Sequence, residues 1–128
     1  MTDEAFEHDE IASVRVATID AAVVIRIAGE VDAFTEAAVR EPLFETLDAT
    51  PPVVVLDLEE VSFIGSTGLR VLVEACDQAR RDGVDLRVVV NTRPLQRLLE
   101  VSGLDGHLPI AGSLHDALMG AGSAAKAG

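Results

Sequence analysis

The sequence predicts an α/β domain with a mixed, largely parallel sheet, an N-terminal β-hairpin and covering helices. Two runs rich in β-branched residues, Ser13 to Ile19 and Val23 to Ala28, flank a short turn and are typical of a hairpin. The run Val53-Val54-Val55-Leu56 is entirely apolar, as in strands buried on both faces, and predicts the central strand. Strand and helix patterns alternate from there onward, which favours right-handed crossovers between parallel strands.

Length and charge exclude several functional classes. The 128 residues suit one domain, and 22 acidic against 10 basic residues give a formal net charge of −12. Such a surface repels phosphates, so we expect no direct binding to nucleic acid. The single lysine, Lys126, lies near the end of the chain, so chemistry that needs a lysine inside the fold is excluded. Cys76 has no disulfide partner and no apolar run could span a bilayer, so we expect a cytoplasmic protein without a membrane partner.

Composition divides the chain into three segments. Residues 1–12 are acidic and lack a regular apolar period, which predicts an N-terminal tail. Residues 120–128 are nearly all Gly, Ala and Ser and predict a flexible C-terminal tail. The folded domain is expected over residues 13–119.

The first helix is predicted just after the hairpin. Gly29 to Asp32 should break the second strand, and Thr35 should cap a helix that runs to about Leu47. Phe34 and Val39 would form a hydrophobic staple across that cap.

Later elements follow from periodicity and from helix-breaking residues. Pro42 removes a helical hydrogen bond and predicts a distortion between Ala38 and Pro42. A helix is expected from about Thr67 to Asp82, with Gly83 as its C-terminal cap. The next elements should be a strand, a helix, a weaker strand and a short helix: Leu86 to Val90, Thr92 to about Ser102, Leu108 to Ala111, and the segment after Ser113.

The stretch from Leu56 to Leu69 is the most informative for function. It should leave the central strand, cross a short loop and place Ser66 and Thr67 where a helix begins. Unpaired N–H groups and the positive end of the helix dipole favour an anion there. On local pattern alone, Ser66 is a helix cap. A phosphate-binding loop is a second interpretation because Gly65 and Gly68 allow close approach to the backbone, although the lysine of a nucleotide-binding P-loop is missing.

Two separated motifs share their order with a known family. Gly29-Glu30-Val31-Asp32 is followed by Asp57-Leu58, Val61, Phe63-Ile64 and Ser66-Thr67-Gly68-Leu69. These motifs resemble the STAS domain, the sulfate transporter and anti-sigma factor antagonist domain. The resemblance covers about Ser13 to Met119 and implies a single STAS-like domain.

This resemblance implies a non-enzymatic binding switch, an anti-sigma factor antagonist. In similar proteins an anti-sigma factor with ATP-dependent serine kinase activity phosphorylates the serine that matches Ser66, and a serine phosphatase reverses the modification. The unmodified protein binds the kinase and frees a sigma factor. No cofactor is implied for the chain itself, because ATP and a divalent metal belong to the kinase. The implied partner-binding residues are Glu30, Asp32, Ser66, Thr67, Gly68, Leu69 and Arg70.

Two residues are expected to be structural neighbours of the switch. Asp57 should accept hydrogen bonds from loop N–H groups and shape the turn before Ser66. Gly65 stands where the family often has aspartate, which bears on recognition by the kinase. Thr67 is the alternative phosphoacceptor. Two other functions stay open: a STAS-type scaffold or adaptor without serine phosphorylation, and a module that binds a small phosphate or nucleotide ligand.

Other reactive side chains give weaker patterns. His8, His107 and His115 lack the short paired spacing of metal ligands, so no metal site is predicted. Cys76 falls on an apolar helical stripe, which predicts a buried and unreactive thiol. Glu59-Glu60 is expected in a solvated loop rather than in a catalytic site.

Overall fold

The computed structural model describes the backbone of residues 12–127 and the side chains of residues 12–120. One sheet has the strand order β1-β2-β3-β4-β5. Its strands are β1 (Ala12–Ile19), β2 (Ala22–Val31), β3 (Val53–Ile64), β4 (Asp85–Val89) and β5 (Ile110–Ala111). The helices are α1 (Glu36–Asp48), α2 (Ser66–Asp82), α3 (Arg93–Val101) and α4 (Leu114–Ala127). Only the pairing of β1 with β2 is antiparallel, so the predicted fold class is confirmed.

The hairpin forms as predicted, but its second strand is longer. Asp20 enters the two-residue turn with a φ of 56°, a left-handed conformation that aspartate tolerates. The expected break at Gly29 to Asp32 is wrong, because β2 continues to Val31. Gly29 takes a φ of 97° between two irregularities in the pairing with β3, so it bends the strand and does not end it.

The central strand β3 is also longer than its apolar run indicates. It continues to Ile64 because β2 stays paired beside it, with Gly29 opposite Val61 and Val31 opposite Ile64. The prediction of a short loop between the central strand and Ser66 is therefore wrong. The prediction that Glu59 and Glu60 lie in a solvated loop is also wrong, because both residues lie within β3. The neighbouring strand β4 is shorter and pairs with β3 only as far as Asp57.

Helices cover both faces of the sheet. One face packs against α1, α2 and α3 through fully buried side chains that include Ile25, Leu43, Leu56 and Leu99. The other face packs against α4, where Val24, Val55 and Val89 meet Ala117. Both faces of β3 are therefore buried, which confirms it as the central strand.

The start of α1 differs from the predicted cap. Phe34 is 91% exposed, so it forms no hydrophobic staple with Val39. The hydroxyl of Thr35 makes no capping hydrogen bond to α1. Pro42 does not interrupt the helix, which is continuous because its buried residues Val39, Leu43 and Leu47 fix it on the sheet.

The remaining boundaries lie close to the predicted ones. Gly83 ends α2 in the left-handed conformation with a φ of 73°. The hydroxyl of Ser113 accepts a 3.0 Å hydrogen bond from the N–H of Asp116 and caps α4. The α4 backbone extends to Ala127, while residues 1–11 lie outside the part that the structure describes. No helix among the described residues is long and apolar enough to cross a membrane.

Candidate functional site

The two sequence motifs meet where β2 ends and α2 begins. The backbone N–H of Gly65 donates a 2.9 Å hydrogen bond to the carbonyl oxygen of Val31. The end of β2, which carries Glu30, and the loop after it, which carries Asp32, therefore lie directly beside the helix start that carries Ser66. Both segments lie at the carboxyl ends of the adjacent parallel strands β2 and β3, the edge of the sheet at which α/β folds bind their ligands.

Ser66 is the first residue of α2, and Gly65 is the N-cap, with a φ of −88° and a ψ of −176°. The capping role expected for Ser66 on local pattern is wrong, because the helix begins one residue earlier than predicted and Ser66 is already its first residue. Its side chain is exposed, and its hydroxyl makes no hydrogen bond to any residue in the described part of the chain. The hydroxyl is thus free to react.

The first turn of α2 suits an added negative charge on Ser66. The first turn of α2 contains no acidic residue, and its N–H groups lie at the positive end of a 17-residue helix. Arg70 is exposed one turn further along, at the spacing that lets two helical side chains meet. A phosphate on Ser66 would therefore find donors in its own chain.

The loop before α1 is held rigid by side-chain hydrogen bonds. Oδ1 of Asp32 accepts bonds of 2.9 Å from the N–H of Phe34 and 3.3 Å from the N–H of Thr35. The buried Oγ1 of Thr35 donates a 2.8 Å bond to the carbonyl oxygen of Glu30 and accepts a 3.0 Å bond from the N–H of Asp32. Asp32 thus organises the turn in addition to any contact with a partner.

Two aromatic residues at this surface were missed by sequence reasoning. Phe34 is 91% exposed at the tip of the loop, and Phe63 is 53% exposed just before α2. A Cβ atom on Gly65 would lie 3.5 Å from the Phe63 ring and 3.8 Å from Cβ of Asp32. The available signal was the position of Phe34, two residues after Asp32 in a turn, where an apolar side chain has little to pack against.

The other predicted contact residues differ in accessibility. Glu30 and Arg70 are exposed, and Thr67 is half-buried. Gly68 is buried, and Leu69 packs against the core. A partner on this surface would therefore contact Glu30 and Arg70 directly, while Gly68 and Leu69 support the surface from inside the domain.

The expectation that Asp57 is a structural neighbour of Ser66 is wrong. It lies in the middle of β3, seven residues before Ile64, a distance of about 23 Å at the usual rise of a strand. The carboxylate is 3% exposed and binds Arg26 through a 3.1 Å contact between Oδ2 and Nε. It also accepts a 3.0 Å hydrogen bond from the N–H of Glu59. The longer strand is the physical reason for the error.

The two glycines of the helix start have different functions. A Cβ on Gly68 would lie 2.8 Å from both Ile64 Cγ2 and Val31 Cγ1, so this glycine allows α2 to pack on the strands. Gly65 has room for a side chain and ordinary dihedral angles. Close packing of α2 on the strands explains why a glycine stands at position 68. This explanation disfavours the interpretation of the segment as a phosphate-binding loop, in which Gly68 would let a ligand approach the backbone.

The remaining candidates form no second site. Within residues 12–120, no group of three or more His, Cys, Asp or Glu side chains could hold a metal ion. Cys76 is buried, and desolvation raises the pKa of its thiol to about 11, which agrees with the predicted unreactive cysteine. His107 is partly exposed and contacts Asp77 at 3.6 Å. His8 lies outside the described residues.

Residues 13–117 match the family model of the STAS domain. The chain is 37% identical to the anti-sigma-F factor antagonist RsfB of Mycobacterium tuberculosis, over 84% of this chain and 88% of that protein. It is 38% identical to an anti-sigma-B factor antagonist of Listeria monocytogenes, over 67% of this chain and 75% of that protein. A crystal structure of an anti-sigma factor antagonist from Mycobacterium paratuberculosis is similar with a TM-score of 0.81 at 28% identity, covering 86% of this chain and 93% of that one.

Proposed function

Because the chain belongs to the STAS domain family, we propose that it is an anti-sigma factor antagonist whose binding is switched by phosphorylation of Ser66. In its unmodified form it binds an anti-sigma factor with serine kinase activity and thereby frees a sigma factor for transcription. Phosphorylation by that kinase ends the binding, and a serine phosphatase restores it. The chain catalyses no reaction, needs no cofactor, binds no nucleic acid and acts in the cytoplasm.

The observation that carries this proposal is the setting of Ser66. Its exposed hydroxyl lies at the first residue of α2, and the Gly65 hydrogen bond joins this helix start to Val31, between Glu30 at the end of β2 and Asp32 in the rigid loop. A kinase can reach this hydroxyl without unfolding the domain. A binding partner that covers the loop would also cover Ser66, so one surface serves both binding and modification.

Magnitudes favour electrostatic exclusion as the mechanism of the switch. A phosphate adds a charge of about −1.5 to −2, and a helix N-terminus stabilises such charge by about 0.3–1 kcal/mol. The fold therefore tolerates the modification. In the complex, a partner carboxylate about 4 Å from the phosphate would oppose each unit of charge by about 4 kcal/mol at an effective dielectric constant of 20. That penalty corresponds to a nearly thousandfold loss of affinity, with about 1.4 kcal/mol for each factor of ten.

The test uses the purified chain and the anti-sigma factor kinase of its own organism. Titration calorimetry should show binding of the unmodified chain, and incubation with Mg²⁺ and ATP should add one phosphate that peptide mapping places on Ser66. Thr67→Ala is the matched control and should still be phosphorylated. Transfer of the phosphate to Thr67 would contradict the assignment of Ser66, and equal affinity of the two forms would contradict the switch.

Gly65 favours a second candidate function, a STAS-type scaffold without serine phosphorylation, because the family often has an acid at this position. Intact-mass measurement on protein purified from its own cells distinguishes the two functions. A chain that carries no phosphate under any growth condition, yet binds its partner, would be a scaffold.

A further inference from the structure

A groove lies beside the part of β3 that extends beyond β4. The pairing with β4 ends at Asp57, so among the described residues the stretch 58–64 has a strand partner only on its β2 side. Helix α3 lies across the open side and leaves a cavity of about 410 Å³. The apolar lining consists of Val61, Phe63, Ile64, Pro94, Leu95 and Leu98.

The chemistry of this β3–α3 groove excludes an ionic ligand. Its polar lining comprises only Ser62 and Thr92, which are neutral, and no charged side chain contributes to its walls. A phosphate or carboxylate buried there would lack a counter-charge, which is costly in an apolar environment. The volume falls in the range of ligand pockets and can hold a few apolar side chains.

Phe63 connects the groove to the Ser66 surface. Its half-exposed ring lines the groove and also lies within 3.5 Å of the Cβ position of Gly65, directly before Ser66. Asp32 also lies close to Gly65, with its Cβ 3.8 Å from the Cβ position of that glycine. Its carboxylate accepts a hydrogen bond from the N–H of Phe34 and so holds a second exposed aromatic residue on this surface. A protein bound in the groove would therefore be in contact with the switch.

We infer that the β3–α3 groove receives apolar side chains of the anti-sigma factor that Ser66 controls, with Phe63 as the main anchor on this chain. The inference rests on the proposed function and specifies the partner surface. A few well-packed residues at the centre of an interface, often aromatic, provide most of its binding energy, and burial of such a patch beside Ser66 excludes water from the phosphorylation site. The groove supplies affinity, and Ser66 supplies the control.

Substitutions in the groove test this inference. Phe63→Ala should raise the dissociation constant for the purified anti-sigma factor by about tenfold or more, as for a buried aromatic anchor. Ser62→Trp, which fills the groove from an exposed position of β3, should weaken binding similarly. Val101→Ala is the matched control, because Val101 is 79% exposed on α3 outside the groove. Its affinity should equal that of the unmodified chain, and circular dichroism checks that each variant is folded.

Amide hydrogen exchange on the complex gives a second readout. Partner binding should protect residues 58–64 of β3 and the first turns of α3, as well as residues 30–35 at the end of β2 and in the following loop. Protection confined to the loop and to residues 66–70, with unchanged affinity of Phe63→Ala, would overturn the inference and leave the proposed function intact. Self-association that is lost in Phe63→Ala would assign the groove to a second copy of the chain and also overturn it. Failure of the unmodified chain to bind any anti-sigma factor would reject both proposals.

Discussion

The carbonyl oxygen of Val31 accepts a 2.9 Å hydrogen bond from the N–H of Gly65, so the last residue of one strand is bonded to the N-cap of the helix that follows the next strand. This bond crosses between two motifs that lie more than 30 residues apart in the sequence. It holds the rigid loop of Asp32 and the exposed Ser66 in one fixed arrangement. Any substitution that separates α2 from β2 should therefore affect stability and partner binding together.

Gly68→Ala should destabilise the domain at this junction. The added Cβ would lie 2.8 Å from Ile64 Cγ2 and Val31 Cγ1 and 3.0 Å from the Val31 carbonyl oxygen. Overpacking of this kind costs about 1–3 kcal/mol, and the stiff β-branched neighbours favour the upper end. The better helix propensity of alanine returns about 0.5–1 kcal/mol, so we expect a net loss of about 1–2 kcal/mol. Urea denaturation measures the free energy of unfolding.

Gly106→Ala is the control for Gly68→Ala, because a Cβ at Gly106 would meet no atom within 4 Å. It should change the free energy of unfolding by less than about 0.5 kcal/mol. Equal stability of the two variants would show that α2 can shift away from the strands at no cost.

Ser66→Ala should remove phosphorylation and leave stability unchanged to within about 0.5 kcal/mol. The physical reason is that the Ser66 hydroxyl makes no hydrogen bond within the described chain and that Gly65, not Ser66, is the N-cap. The variant should bind the anti-sigma factor permanently. A loss of about 1 kcal/mol or more in thermal or chemical denaturation would instead identify the hydroxyl as a cap.

The sequence was sufficient to predict the order and type of the elements, because buried strands and amphipathic helices have distinct apolar periods. The lengths of β2 and β3 were not predictable in the same way. Their second halves carry Glu30, Glu59 and Glu60, and these charges look like loop residues until the pairing of the two strands is known. The ends of a strand depend on which distant strand it pairs with, and that pairing cannot be read from a single sequence.

The same limit applies to the site. Ser66 and Asp32 were found because their motifs resemble a family, while Asp57 was assigned to the site from a strand end that lies seven residues too early. Phe63 is an apolar residue next to Ile64 in β3, but it is 53% exposed, and β4 ends before reaching it. Whether an apolar side chain is exposed depends on which strands and helices cover it. The tertiary structure determines that cover, and the local sequence does not show it.

Arg26→Ala should destabilise the fold without affecting the switch. It removes the guanidinium partner from one oxygen of the buried Asp57 carboxylate, while the N–H of Glu59 still donates to the other, and the loss of a partner from a buried polar atom costs about 1–3 kcal/mol. Because Asp57 lies about seven strand residues before α2, the rate of Ser66 phosphorylation should stay unchanged. Arg80→Ala is the control, since it breaks an exposed pair with Asp77 and should change stability little. A slower phosphorylation of folded Arg26→Ala would place Asp57 in the functional site after all.

Cys76 should resist alkylation in the folded protein. Burial raises the pKa of its thiol from 9.0 to about 11, so at pH 8 about a thousandth of the folded thiols is ionised, against about a tenth in the unfolded chain. Because the folded-state pKa is the higher one, the stabilisation of the neutral thiol is complete below pH 9 and is lost as the pH rises toward 11. Iodoacetamide labelling followed by mass spectrometry tests this, and the only cysteine of the chain gives an unambiguous signal. Rapid labelling in native buffer at pH 8 would contradict the buried environment.

Gly65→Asp should increase the rate at which the kinase phosphorylates Ser66, because it restores the acid that the family often has before the serine. The side chain fits, since its Cβ would lie no closer than 3.5 Å to another atom and the φ of −88° suits any residue. Aspartate is a better N-cap than glycine by a few tenths of a kcal/mol, but Cβ of Asp32 is only 3.8 Å away and its carboxylate repels the new charge. We therefore expect the free energy of unfolding to change by less than about 0.5 kcal/mol.

Gly65→Asn separates the two effects of that substitution, because asparagine caps the helix as well as aspartate but carries no charge. Single-turnover phosphorylation of both variants by the purified kinase, at equal protein concentration, is the measurement. A faster reaction for Gly65→Asp alone would show that the kinase reads the charge before Ser66. Equal acceleration in both variants would attribute the effect to a better-ordered helix start. A rate no higher than that of the natural chain in either variant would contradict the prediction and show that the kinase does not need an acidic residue immediately before Ser66.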